Sequence, residues 1–434
     1  MLTIRKIRVA SDSWPAARRT AEYVLDPADS PAAMARALDH HGDMAAAGRT
    51  ADPTPTAAWL GTTAMLARLG AEHGAQVQVR ELALALQGRA AGGERVRTEG
   101  LIEQDARDER GRPVHDDSGR RVKVRVRGTK CVDLTFSAPK SVSLAWSQAR
   151  PCLRAQIEEA MMTAAEAMLT QMTTTKPVVA HQRALHPASG YAAAAALHVR
   201  ARRARGESVP APQLHVHGIV LGVERADGYF AAPELAGMFK HGAPLEGGAV
   251  ARARLAESLV DMGFELVRSG RFFEIAGVPP GLVERMSSRT RDVMAGIGER
   301  EATKRRVLSD AERAIVALET RPPKGGEASM VETVAAWKAE AERFGFGPEQ
   351  VDRLRLGTRF ADSLESRRAA VRAECAPSAA GTGTGSGGTD GDRDGAARGA
   401  RGSIGAARAA LLERAAGRLR LREALPLVEQ LPAC

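Results

Sequence analysis

The stretch Pro212-Gln213-Leu214-His215-Val216-His217-Gly218-Ile219-Val220-Leu221 constrains this chain more than any other. Its apolar, β-branched run predicts a strand, and alternate residues of a strand point to the same face. His215 and His217 then lie side by side, with Leu214, Val216 and Val220 on the opposite face. The chain must therefore build a sheet with one apolar face buried and two imidazoles on the other. Two readings stay open at this point. The pair is half of a divalent-metal site, or it is two polar residues on a solvated face.

Composition narrows the setting. With 434 residues the chain has room for one large domain or two ordinary ones. Its 62 basic and 52 acidic residues leave a formal charge of +10, which favours an anionic partner such as nucleic acid. Cys131, Cys152, Cys375 and Cys434 show neither ligand spacing nor a disulfide framework, so a reducing, cytoplasmic setting is expected. The amino terminus has no signal-like apolar core, and no apolar stretch is long enough to suggest a membrane span.

Along the chain, residues 2–9 read as a short strand in which Ile7 and Val9 break the phase of Leu2 and Ile4. A helix capped by Ser11 or Ser13, with Pro15 in its first turn, ends near Tyr23 and is stopped by Asp26-Pro27. Residues 30–39 read as a helix, 48–58 as loop, 59–69 as helical from Trp59 onward, and 79–86 as a helix. Lys123, Arg125 and Arg127 alternate with Val122, Val124 and Val126, the pattern of an edge-like basic strand. A second strand over 131–136 and a long amphipathic helix over 153–172 follow, then strands over 178–185 and 192–199. Arg200, Arg202, Arg203 and Arg205 lie in a basic loop before the histidine strand. Helices at 233–239 and 249–262 and a hairpin over 264–275 come next, and residues 280–371 read as helical. Residues 376–402 are of low complexity and cannot build a core, and a final helix over 406–425 is expected to stop at Pro426. The expected organisation is a mixed α+β domain over 1–295, a helical extension over 296–372, a flexible linker over 373–405 and a terminal helix over 406–434.

Several residues can carry chemistry. His198 closes the strand before the basic loop. If that strand pairs antiparallel with the histidine strand, His198 faces His215 or His217 and completes three imidazoles, with coordination positions left for a phosphate oxygen. Asp133 is flanked by apolar residues, and its desolvation calls for a partner: it can hold an imidazole in one tautomer, accept a proton from a nucleophile, or lie on a polar face with Thr135 and Ser137. Lys140 can meet a DNA phosphate or be an ordinary lysine at a helix start. The same two readings hold for Lys123, Arg125, Arg127, Arg200, Arg202, Arg203 and Arg205.

The run Asp133-Leu134-Thr135-Phe136-Ser137-Ala138-Pro139-Lys140-Ser141-Val142-Ser143 closely resembles a motif of conjugative relaxases of the TrwC/TraI (MobF) family. Pro212-Gln213-Leu214-His215-Val216-His217, roughly 80 residues on, resembles that family's paired metal histidines. Met1-Leu2-Thr3-Ile4-Arg5-Lys6-Ile7 and Trp59-Leu60-Gly61 resemble its opening strand and a further element, and 300–318 and 337–344 its later helices, so the likeness spans about residues 1–350.

The resemblance implies the fold of HUH endonucleases, a five-stranded antiparallel sheet flanked by helices. It implies one divalent ion, magnesium, manganese or zinc, on His198, His215 and His217. It makes Asp133 the acid that activates a tyrosine, and Tyr23 that tyrosine. Such enzymes cut single-stranded DNA at an origin of transfer through a 5′-phosphotyrosine link and rejoin it. Two features depart from the family. Tyr23 is the only tyrosine before Tyr191, and His40-His41-Gly42-Asp43 stands where a second tyrosine group is often found. No phosphate loop for a helicase is present, Pro323-Lys324-Gly325-Gly326 being no match, so separate helicase and coupling proteins are the expected partners. A non-catalytic single-stranded DNA-binding relative and a replication initiator on the same scaffold are the alternatives.

Overall fold

The computed structural model describes residues 2–10, 13–40, 57–97, 100–106, 114–116, 118–182, 184–239, 243–320, 328–356, 369, 371, 404–416 and 418–429. The chain runs β1 (Leu2–Ala10), α1 (Trp14–Val24), α2 (Pro31–His40), β2 (Ala57–Gly61), α3 (Thr63–Leu69), α4 (Val79–Leu86), β3 (Gly100–Asp105) and β4 (Lys123–Ser137). It continues with α5 (Lys140–Gln148), α6 (Pro151–Thr174), β5 (Val179–His181), β6 (Ala184–His186), β7 (Gly190–Arg200), β8 (Pro212–Glu224), β9 (Phe230–Ala231), α7 (Leu235–Phe239) and α8 (Ala243–Asp261). Then come the hairpin β10 (Leu266–Ser269) and β11 (Phe272–Ile275), and α9 (Pro280–Arg285), α10 (Ser288–Lys304), α11 (Asp310–Glu319), α12 (Met330–Arg343) and α13 (Pro348–Arg353). Two last helices are α14 (Ile404–Ala415) and α15 (Leu421–Glu429).

The main sheet follows the order β1-β4-β8-β7-β2, with every neighbour antiparallel. β3 adds to β4 and β9 to β8, making seven strands. The α+β class and the five-strand antiparallel path are as the sequence implied. Period-two alternation sorts each strand between two cores. Val132, Leu134, Phe136, Leu214, Val216, Val220 and Leu197 pack with α5 and α6 on one face. Cys131, Ile219, Leu221, Ala194 and Trp59 pack with α1, α3 and α4 on the other. The phase break in β1 is a change of face: Leu2 and Ile4 lie against the first core, Ile7 and Val9 in the second. In β7 the alanines from Ala192 to Ala196 are buried throughout, and their small side chains let helical layers close on both faces of a central strand. Gly218 does the same for β8, where a Cβ would come within 2.9 Å of Leu169 on α6.

Four expectations change. Trp59 lies on β2, not on a helix, and the helix starts after it at Thr63. Pairing with β7 overrides the helical pattern of 59–69 there. The basic strand and the strand at 131–136 are one continuous β4, because β3 pairs with its first part and β1 with its second. The single strand expected over 178–185 is two short strands, β5 and β6, paired antiparallel, and α12 packs on the main core, where Trp337 is buried edge-on to Trp146 at 6.3 Å and its Nε1 donates to the Pro210 carbonyl at 2.7 Å. The terminal helix is two helices, and Pro426 lies inside α15, whose Ala424, Leu427 and Val428 are held in an apolar cluster with α8 and α14. The linker residues 373–403, His41-Gly42-Asp43 and Pro323-Lys324-Gly325-Gly326 lie outside the described residues. Among the described residues, no helix is long and apolar enough to cross a membrane.

One buried carboxylate makes the stability pH-dependent. Glu158 of α6 accepts from Trp146 Nε1 at 2.8 Å, and burial pushes its pKa up from 4.5 to about 7. The folded state thus binds the proton more tightly than the unfolded state. This stabilising contribution is complete below 4.5 and is lost as pH rises to about 7. Glu158→Gln keeps the acceptor and removes the titration. By urea unfolding it should match the wild type at about pH 4 and exceed it by on the order of 2 kcal/mol at about pH 8. Equal stabilities at both pH values would show that the carboxylate is ionised in the fold without cost.

Candidate metal and nucleophile centre

Strand register builds the centre. His198 on β7 pairs directly with His215 on β8, and His217 lies two residues along on the same face. β4 brings Thr135 opposite His217 and β1 brings Arg5 opposite Asp133. One end of the second sheet face thus collects residues from four adjacent strands. The three ring centroids are 5.0–5.3 Å apart, and one nitrogen from each lies within 4.8 Å of the others. No other group of this kind occurs among the described residues.

The outer partners fix the rings. His217 Nδ1 lies 3.0 Å from both oxygens of Asp133 and donates to that carboxylate, which also accepts from Thr135 Oγ1 at 3.0 Å. His215 Nδ1 donates to the Gln213 carbonyl at 3.0 Å. Both rings keep Nε2 for the centre. His198 donates from Nε2 to the Val24 carbonyl at 2.7 Å, which leaves its Nδ1. Burial pushes His198 below the ordinary histidine range against the pull of Asp29, and burial with the neighbouring imidazoles lowers His215 to about 4. Neutral imidazoles are the ligating form, so the donor set fits a divalent ion of the nitrogen-loving kind. For Asp133, burial raises the pKa, but the His217 hydrogen bond, with the charges of His217 and Arg5, outweighs it and holds the carboxyl below its usual range.

Tyr23 closes the centre from α1. Its ring meets His217 edge-on at 6.2 Å, and the Arg5 guanidinium lies 5.9 Å from its centroid. What holds α1 there is the turn that follows it. Val24 accepts from His198, and Asp29 Oδ1 accepts from the backbone of Val199 and Arg200 at 3.1 and 2.9 Å. Those N–H groups sit at a register shift in the β7–β8 ladder, which explains why a side chain serves them. Asp29 Oδ2 also lies 3.7 Å from His198 Nδ1.

The 133–143 motif proves to be a clamp on the histidine strand. Lys140 Nζ donates to the Pro212 carbonyl at 2.8 Å, Ser143 Oγ accepts from Leu214 N at 3.0 Å, and the Ala138 carbonyl accepts from Gln213 at 2.9 Å. Burial lowers Lys140 to about 8 against the opposing charge of Glu274. The structure places this lysine under the strand that carries the imidazoles. Arg200 is likewise buried, against Asp29 and the Ala328 carbonyl. Arg203 donates to the Glu207 carbonyl, and Arg205 is exposed with its backbone N–H on Asp292. Arg202 is half-buried in the same loop. Lys123, Arg125 and Arg127 form an exposed row on β4, about 20 Å from Asp133 at its near end, with Glu103 and Asp105 opposite two of them. Arg5, Asp29 and Thr135 were not singled out by sequence reasoning. Only strand pairing discloses Arg5, and only the packing of the turn after α1 against β7 discloses Asp29.

A sequence model of the family described as TrwC relaxase matches residues 32–344, so this chain belongs to that family. Tyr23 and Arg5 lie ahead of the matched range. A search of curated protein sequences finds no match. Among solved structures, the metal-bound conjugative relaxase TrwC in complex with oriT DNA is 23% identical, with a TM-score of 0.53 over 79% of this chain and 99% of that one. Its metal-free form is 22% identical with a TM-score of 0.51 (80% and 99% covered), and a copper-bound form is 22% identical with 0.53 (79% and 99% covered). At these identities the likeness establishes a shared fold.

The Asp29 turn is open to a direct check. Asp29→Ala orphans two backbone donors and should cost roughly 2–4 kcal/mol in urea unfolding, whereas Asp29→Asn keeps an acceptor and should recover most of that. A loss below about 0.5 kcal/mol in the alanine variant would show that the turn does not depend on this carboxylate.

Proposed function

We propose that this chain is a metal-dependent DNA-nicking and rejoining enzyme acting on single-stranded DNA at an origin of transfer. The observation that carries the reading is Tyr23 set against a three-histidine cluster whose His217 is oriented by a buried carboxylate. The family, and neighbours described as bound to oriT DNA, support it.

In this reading His198, His215 and His217 hold the ion, which supplies charge neutralisation at the scissile phosphate when bound. Asp133 keeps His217 in the tautomer that presents Nε2 and, in the role the family resemblance implies, receives the Tyr23 proton. The tyrosine oxygen then attacks phosphorus. The Tyr23 O–P bond forms and the P–O3′ bond breaks, and the departing 3′ oxygen takes a proton from Asp133 or water, leaving a 5′-phosphotyrosine and a 3′-hydroxyl. Attack by that hydroxyl reverses the exchange and restores the strand. The exposed row Lys123, Arg125 and Arg127, with Arg202 and Arg205, offers charge along the DNA backbone.

The test uses single-stranded oligonucleotides tiling both strands around the gene, with manganese present, and a denaturing gel to detect a covalent adduct. An adduct is expected at one site. Tyr23→Phe should lower its yield at least about a hundredfold while metal binding is kept, and chelation should abolish it. An adduct that persists in Tyr23→Phe would remove Tyr23 as the nucleophile. Tight binding with no adduct on any tile would replace this reading by that of a non-catalytic DNA-binding relative.

A further inference from the structure

We infer that Arg5 is a substrate-contacting residue of this centre, its guanidinium taking a non-bridging oxygen of the scissile phosphodiester; this rests on the reading of the site just given. Arg5 lies on β1, the strand at one end of the main sheet path, directly across the ladder from Asp133. Its Nη2 is 3.3 Å from Asp133 Oδ2, and its carbon Cζ is 5.9 Å from the Tyr23 ring centroid. The cation therefore sits between the candidate proton acceptor and the candidate nucleophile.

Three features separate this residue from a structural ion pair. The first is exposure: the Arg5 side chain is 50% exposed and Asp133 2%, so the remaining face of the guanidinium is open to an incoming ligand. The second is redundancy. Asp133 already accepts from His217 and Thr135, and a half-exposed arginine adds little stability to a carboxylate so served. The third is what the neighbouring cations are doing. Lys140 is committed to the Pro212 carbonyl and Arg200 to Asp29, so the two residues the sequence offered nearest the histidines are engaged within the fold.

A guanidinium presents five donors in a planar fork suited to phosphate oxygens. As the tyrosine oxygen adds and the 3′ oxygen departs, charge gathers on the non-bridging oxygens. A fixed cation beside Tyr23 stabilises that charge without exchanging a proton or a covalent bond.

The experiment uses the full chain loaded with zinc, with inorganic phosphate as the probe, and calorimetry on the wild type, Arg5→Gln and Arg5→Lys. Metal affinity is expected to stay within about threefold in all three. Phosphate should bind at least about tenfold more weakly to Arg5→Gln, with Arg5→Lys in between. Wherever the wild type forms a covalent adduct, Arg5→Gly should lose most of its yield and regain part of it on addition of guanidinium. Unchanged phosphate affinity in Arg5→Gln would overturn the inference. So would a loss of metal affinity as large as the loss of phosphate affinity, because Arg5 would then act through Asp133 on His217. A wild-type chain that binds no metal would refute the centre itself, and this assignment with it.

Discussion

The register of four adjacent antiparallel strands is the constraint on which the centre depends. Arg5, Asp133, His217 and His198 come from β1, β4, β8 and β7, and nothing local to any one strand brings them together. A slip of one residue in any ladder would turn its polar residue into an apolar core and expose a core residue in its place. The burial of Val132, Leu134, Val216 and Leu197 is therefore what aims the imidazoles and the carboxylate. Packing energy on one face is converted into positional accuracy on the other.

Accuracy along the strands does not by itself place Tyr23, the proposed nucleophile, which comes from outside the sheet. α1 is joined to the centre through backbone as much as side chain: the Val24 carbonyl takes the His198 ring N–H, and Asp29 takes two N–H groups that the ladder leaves unpaired. The ladder irregularity after His198 creates the donors, and the turn after Tyr23 supplies the acceptor. His198 consequently belongs to two structures at once, as a member of the imidazole cluster and as the anchor of the tyrosine helix. Disturbing either one displaces the other.

The alternation around His215 and His217 was legible because a two-residue period survives any tertiary context. The 133–143 motif was legible as a family signature, but its physical work was not. Lys140, which by sequence logic is either a phosphate contact or an ordinary lysine at a helix start, reaches the carbonyl that Pro212 offers at the start of β8. Arg200 was drawn in by Asp29, a residue more than 170 positions away. Trp59 read as the start of a helix because strand pairing with β7 is non-local. The charge count of the basic loop said nothing about which guanidinium would be consumed by the fold. That depends on acids such as Asp29 and Glu207 brought close only after the helices have packed.

Tyrosine supply limits the chemistry of a centre built this way. The chain has three tyrosines in all. Tyr191 is buried, and its hydroxyl is bonded to Thr170; burial raises its pKa to about 12, so it is a poor nucleophile. Tyr229 stands beyond the far end of β8, seven strand positions and about 23 Å past His217 even at Glu224, with Arg225 over its ring. In the proposed reaction one chain thus holds one covalent strand at a time. Its phosphotyrosine is released by attack of a 3′-hydroxyl, and cutting a second junction while the first is held would call for a nucleophile other than these three tyrosines.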